Sequence, residues 1–141
     1  MARPALKKPT LAEIQYIAHS LAQELMTQTE PIPPFDTRFP DRLESCLKTP
    51  FQTFQNKSLY PSFNAKAAIL FYFMIKNHPF QNGNKRVAVV TLYYFLGENG
   101  RDLEVGNIEL YEFAKRIAAS DPKKKDEVVF EIREFIKKHT S

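Results

Sequence analysis

Nine consecutive apolar residues, Ala67 to Ile75, sit inside a longer helix-compatible segment, Ser62 to Asn77. A run of this length is less than half a membrane span. A helix that is apolar on nearly every side has to lie at the centre of a core. It is followed by HPFQNGNKR (78–86), the only glycine-containing loop between two apolar segments, and then by Val87 to Leu96. The β-branched and aromatic content of that second segment suits a strand by propensity alone. Asn84 as a cap and Gly97-Glu98-Asn99-Gly100 as a terminator favour a helix. The expectation is therefore a pair of central helices joined by one polar loop.

The rest of the chain reads as helices around that pair. Thr10 and Glu13 form a capping box ahead of Leu11, Ile14, Ile17, Leu21 and Leu25, a stripe at spacings of three and four that predicts a helix over 11–27. The prolines of PIPPF (31–35) break it. Residues 36–61 read as irregular, with a short helical piece from Arg42 to Leu47. The following stretch, TPFQTFQNKSLYP, forms either a flap or a short hairpin. Asn107 is expected to cap a helix running through Ser120. Asp121-Pro122 opens a last one, with Val128, Val129, Ile132, Phe135 and Ile136 on its apolar face. His139 is placed in a fraying terminus. The predicted fold class is all-α, one domain over 1–141 with about six helices.

Composition narrows the function classes. At 141 residues with 43% hydrophobic content, twelve Phe and six Tyr, the chain can bury a core without disulfides or metal. Cys46 is the only cysteine, which excludes an internal disulfide and a multi-cysteine zinc site and suits a reducing cytoplasm. With no neighbouring His to activate it, a nucleophilic role for Cys46 is not expected. His19, beside the first apolar stripe, reads as a packing residue. No signal peptide is legible, so a soluble, cytoplasmic protein is expected. The net charge of +4 suits a phosphate-handling protein. Nothing resembles a nucleic-acid recognition motif, so direct DNA binding is not expected; the run Lys123 to Lys125 reads as a solvated helix start.

Residues 78–86 carry the chemistry. The first turn of the helix after the loop presents free N–H groups and a positive dipole end. Lys85 and Arg86 stand in that same turn, where their charge opposes the dipole. Stability alone would place Asp or Glu there. The arrangement becomes favourable when an anion binds, because N–H groups, an ammonium and a guanidinium converge on it. Gly83 lets a phosphate approach the backbone. His78, whose side chain type changes charge near neutrality, would overhang the anion and could take a proton from an attacking hydroxyl. Such a site suits phosphoryl or nucleotidyl transfer.

HPFQNGNKR resembles the signature of the Fic superfamily, His-x-Phe-x-(Asp/Glu)-Gly-Asn-(Gly/Lys)-Arg. Further features resemble the death-on-curing branch, the toxins of Phd–Doc toxin–antitoxin pairs. They are Ile17-Ala18-His19, Arg42-Leu43-Glu44-Ser45, Tyr60-Pro61 ahead of Lys66-Ala67-Ala68, Asn77, Phe95-Leu96 and Asn99-Gly100, so the resemblance covers roughly 10–120. It implies a compact helical bundle with a flap, ATP or another nucleoside triphosphate with Mg²⁺ as cofactors, and a bacterial cytoplasmic setting. It implies His78 as general base, Phe80 as a buried anchor, and Gly83, Asn84 and Arg86 as the anion hole. Lys85 stands where adenylyltransferases usually carry glycine, and Val89 stands where they carry a second arginine. The resemblance thus points to transfer of the γ-phosphate to a Ser or Thr hydroxyl of a protein, as in the branch member that modifies elongation factor Tu. AMP transfer is the alternative.

One position departs from the pattern. Asn82 occupies the place of the Asp or Glu that holds Mg²⁺, and an amide oxygen supplies no charge. Either Asn82 coordinates regardless, or the natural protein is attenuated and acts as an antitoxin-binding co-repressor module, or the residue is an inactivating substitution. Asn82-Gly83 is also a sequence prone to deamidation. Ser20 and Glu24 have the spacing of the family's inhibitory motif, but Leu25 follows where Gly or Asn belongs. An inhibitory helix is therefore expected from a separate Phd-like antitoxin.

Overall fold

The computed structural model describes residues 6–17, 20 and 34–140. Among these, six α-helices are present: α1 (Leu11–Tyr16), α2 (Pro40–Lys48), α3 (Phe63–Lys76), α4 (Asn84–Glu98), α5 (Asn107–Ala118) and α6 (Lys125–His139). The only sheet among the described residues is a hairpin of β1 (Thr53–Phe54) and β2 (Lys57–Ser58), so the fold is all-α, as predicted. No described helix is long and apolar enough to cross a membrane.

The two apolar segments form the central antiparallel pair. Ser62 caps α3 by accepting from the Ala65 N–H at 3.0 Å, and the apolar run buries nearly all of its sides. Val87 to Leu96 is helical: its β-branched side chains are buried on all sides, and packing decides against the strand propensity. The helix ends at Glu98, inside the expected terminator: Gly100 takes φ 75°, its N–H donates to the Gly97 carbonyl and that of Arg101 to the Leu96 carbonyl. Helices α5 and α6 cover this pair. Phe113 of α5 stacks on Phe135 of α6 at 4.3 Å and meets Phe71 of α3 at 6.4 Å. The Lys76 ammonium donates to the carbonyls of Ala118 and Ser120 at 3.2 and 2.6 Å, placing a cation at the negative end of α5.

At the start of α1 the Thr10–Glu13 capping box is present in both directions. Ile14 and Ile17 are fully buried, while Leu11 stands at the edge of the stripe and is exposed. The remainder of the predicted first helix, including Leu21, Leu25, His19 and Glu24, lies outside the described residues. The helical piece expected over 42–47 extends to Pro40–Lys48, with proline in its first turn. The stretch that reads as flap or hairpin is a hairpin, whose turn residues Gln55 and Asn56 take left-handed φ of 52° and 65°. Lys66 fastens its base, donating to Ser58 Oγ at 3.0 Å and to the Tyr60 carbonyl.

Three terminus expectations need correction. The N-cap of α4 is Gly83, not Asn84, because the Asn84 amide is engaged elsewhere and Gly83 takes φ 78°, where glycine has no Cβ penalty. Gly106, not Asn107, caps α5. His139 does not fray: its ring stacks on Phe135 and its Nδ1 lies 2.8 Å from the Phe135 carbonyl. Its own carbonyl accepts from the Glu104 N–H at 2.7 Å, and Leu103 bridges Thr140. A side chain 18% exposed, with its ring against Phe135, is part of the core margin. Asp121 behaves as predicted, capping a short 3₁₀ turn that runs into α6.

Candidate functional site

The loop joining α3 to α4 is built on Phe80 and Asn84. Phe80 is 2% exposed, an aromatic burial worth about 2–3 kcal/mol. Asn84, 8% exposed, uses its amide as a bridge: Oδ1 accepts from the Phe80 N–H at 2.9 Å and Nδ2 donates to the Phe80 carbonyl at 2.8 Å. Both backbone groups of Phe80 are thereby satisfied without regular structure, and the loop closes into a fixed turn at the mouth of α4. The Asn84 amide is thus committed to the loop, and for the expected anion hole only its backbone N–H is left.

The other expected residues lie along the same loop and in the first turn of α4. Gly83, left-handed, delivers the chain into α4. Lys85 is half-buried and Arg86 only 4% exposed, both in the first turn, where the helix N–H groups have no helix carbonyl behind them. Arg86 thus adds a buried guanidinium to the positive end of the helix. Asn82 is exposed, and its Oδ1 accepts from the Gly83 N–H at 2.9 Å. His78 is exposed and takes φ 48°, an uncommon conformation for a non-glycine residue and more so before proline. Strain of this kind, about 1–3 kcal/mol, persists where the surroundings over-determine it.

Those surroundings are residues 35–42, which read as mostly irregular from sequence. The Phe39 N–H donates to the Pro79 carbonyl at 2.8 Å, and Arg42 Nη1 lies 3.5 Å from the His78 carbonyl. Phe35 packs on Phe80 at 6.0 Å between centroids. The guanidinium of Arg38 lies 4.1 Å above the Phe35 ring, and that of Arg42 lies 4.3 Å above Phe39. The alternation Phe35, Arg38, Phe39, Arg42 is the available signal, two aromatic–cation pairs at spacings of three.

A divalent metal does not fit the protein's own donors. No three His, Cys, Asp or Glu side chains come together to hold one among the described residues. The motif offers only the neutral amide of Asn82. Phosphates, by contrast, fit the cationic first turn. Cys46 is fully buried, with Asn77 Nδ2 at 4.0 Å from its sulfur; burial pushes its thiol up to about 12, so it carries no thiolate near neutrality. An open groove of about 500 Å³ lies at the opposite end of the central pair, lined by Lys8, Leu11, Glu44, Leu47 and Phe51 among others. Phe51 there packs on Phe95, eleven residues along α4 from Asn84 and so about 16 Å away in helix rise. The hairpin base is anchored at this far end, not beside the loop.

No curated protein and no solved structure matches the chain. The Fic/DOC family model matches residues 9–96, more than half of the sequence and including the whole loop. With the signature loop, braced by the Phe80–Asn84 bridge, inside the matched span, the chain belongs to the Fic/DOC family.

Proposed function

We propose that this chain is a Doc-like toxin kinase that transfers the γ-phosphate of ATP to a Ser or Thr hydroxyl of a protein, with elongation factor Tu as the first target to test. Members of the family generally transfer nucleotide-derived groups to proteins. The observation that carries the reading is the first turn of α4. Lys85 and the buried Arg86 stand beside the first-turn helix N–H groups, behind a left-handed Gly83. His78, exposed at the start of the same loop, takes the proton of the target hydroxyl. The oxygen then forms a bond to the γ-phosphorus, the bond from that phosphorus to the β–γ bridging oxygen breaks, and ADP leaves. Gly83 and the backbone of Asn84, with Lys85 and Arg86, hold the phosphates. In this family Mg²⁺ would neutralise nucleotide charge, a contribution for which Asn82 is a poor ligand.

Lys85 in place of glycine and Val89 in place of a second arginine favour the kinase over an adenylyltransferase. Intact-mass analysis of elongation factor Tu after incubation with the protein, Mg²⁺ and ATP tests it. A phosphoryl gain is expected; an adenylyl gain selects AMP transfer. Asn82 supports a second reading, an attenuated module whose remaining role is to bind a Phd-like antitoxin. Tight antitoxin binding without nucleotide binding would select it. The cytoplasm of a bacterium is the setting that either reading requires.

A further inference from the structure

Three successive carbonyls at the start of the signature loop are each held by a different donor. That of Phe80 accepts from Asn84 Nδ2 at 2.8 Å, that of Pro79 from the Phe39 N–H at 2.8 Å, and that of His78 from Arg42 Nη1 at 3.5 Å. A peptide unit is planar, so a held carbonyl orients the whole plane that carries it. Between the planes of His78 and Pro79 the proline ring restricts one of the two free angles. The chain is thus set plane by plane back to the Cα of His78, whose own φ is 48°. The direction in which the imidazole leaves the backbone follows from that Cα.

The contact to His78 is the longest of the three and comes from an exposed side chain. Its charge offsets its length, because hydrogen bonds from an ionised donor are the stronger kind. The guanidinium is also seated: it lies 4.3 Å above the ring of Phe39, three residues earlier. Phe39 is 38% exposed, a large apolar side chain that the core does not take in. Its N–H holds Pro79 and its ring carries the cation that holds His78. Buried Leu43, Cys46 and Leu47 anchor α2 beneath them. We propose that Arg42, seated on Phe39, is a positioning residue that sets the direction of the His78 imidazole. It acts through the peptide plane after His78 and not on the substrate. The consequence for the rate rests on the proposed function, in which His78 takes the proton; the orientation does not.

The test compares the full chain with Arg42→Gln, Arg42→Lys and Phe39→Leu by nuclear magnetic resonance. The readout is the one-bond Cα–Hα coupling of His78, which differs between left-handed and ordinary backbone. Arg42→Gln is expected to move it out of the left-handed range or to split the His78 signal, while its melting temperature stays within a few degrees of the parent. Arg42→Lys, which keeps the charge, should restore most of the coupling, and Phe39→Leu should fall between. A His78 coupling unchanged in Arg42→Gln would overturn the proposal. Steady-state transfer from ATP to elongation factor Tu reads the consequence: kcat of Arg42→Gln should fall about tenfold to a hundredfold with KM for ATP unchanged, and Arg42→Lys should recover much of it. A rise in KM for ATP alone would make Arg42 a nucleotide ligand and would also overturn the positioning role. A displaced His78 with undiminished kcat, or a parent chain that transfers nothing, would count against the proposed function and not against the orientation.

Discussion

Replacing Asn84 by alanine separates a structural brace from a ligand. Its amide satisfies the N–H and the carbonyl of Phe80 in a place that is 8% exposed. Truncation leaves one buried donor and one buried acceptor, each costing about 1–3 kcal/mol, so a loss of about 3 kcal/mol is expected. For a chain of this size that lowers the melting temperature by about 10 °C. Lys85→Ala, by contrast, removes a half-buried cation that opposes the helix dipole and should change stability by less than about 0.5 kcal/mol. Thermal melting and calorimetry with an ATP analogue, run on both variants, give the comparison. Asn84→Ala should lose stability and nucleotide binding together; Lys85→Ala should lose nucleotide binding alone. An Asn84→Ala protein that melts like the parent would refute the brace, and if its nucleotide affinity had also fallen, the amide would be a direct ligand.

Three other outcomes are expected. His78→Ala should abolish target phosphorylation and growth arrest while leaving nucleotide binding intact; undiminished arrest would remove His78 as the base. Because residue 78 is left-handed, His78→Gly should be more stable than His78→Ala by about 1 kcal/mol, measured by urea unfolding. Glu13 supplies the pH dependence: burial pushes its carboxyl up, but hydrogen bonds from Tyr94 and Thr10 outweigh this and leave it lowered. A lowered folded value means that stability is present above the unfolded carboxylate range and is lost as pH falls through the folded value. Glu13→Gln should therefore flatten the acid limb of a urea-midpoint profile, and an unchanged limb would show that Glu13 does not set it.

The central pair, the capping box and the signature loop are legible in the sequence because each rests on neighbours along the chain. Ala67 to Ile75 can only be buried, and Thr10 with Glu13 closes within one turn. The misplaced caps have a different origin. Asn84 has a good capping side chain by type, but Phe80 claims the amide through a contact that exists only once the loop has folded. His139 reads from sequence as a frayed end, and its partners Glu104 and Glu109 lie thirty or more residues away. The clamp of residues 35–42 on the loop is invisible for the same reason, since Phe39 and Pro79 meet across forty residues.

That clamp explains how an unfavourable loop is kept. Helices α3 and α4 are buried on most sides and leave the segment between them little freedom to relax. Phe35 presses on Phe80, the Phe39 N–H fixes the Pro79 carbonyl, and Asn84 ties the turn to its own helix. His78 keeps a left-handed backbone, and Lys85 keeps its place at the positive end of α4, within this fixed frame. The strained backbone of His78 and the placement of Lys85 against the helix dipole both cost stability in the folded chain by themselves. Both become favourable when an anion occupies the turn, since anything that binds only the folded state stabilises it in proportion to its affinity. Under the proposed function, the strain at His78 and the charge of Lys85 at that helix end are what a bound phosphate offsets.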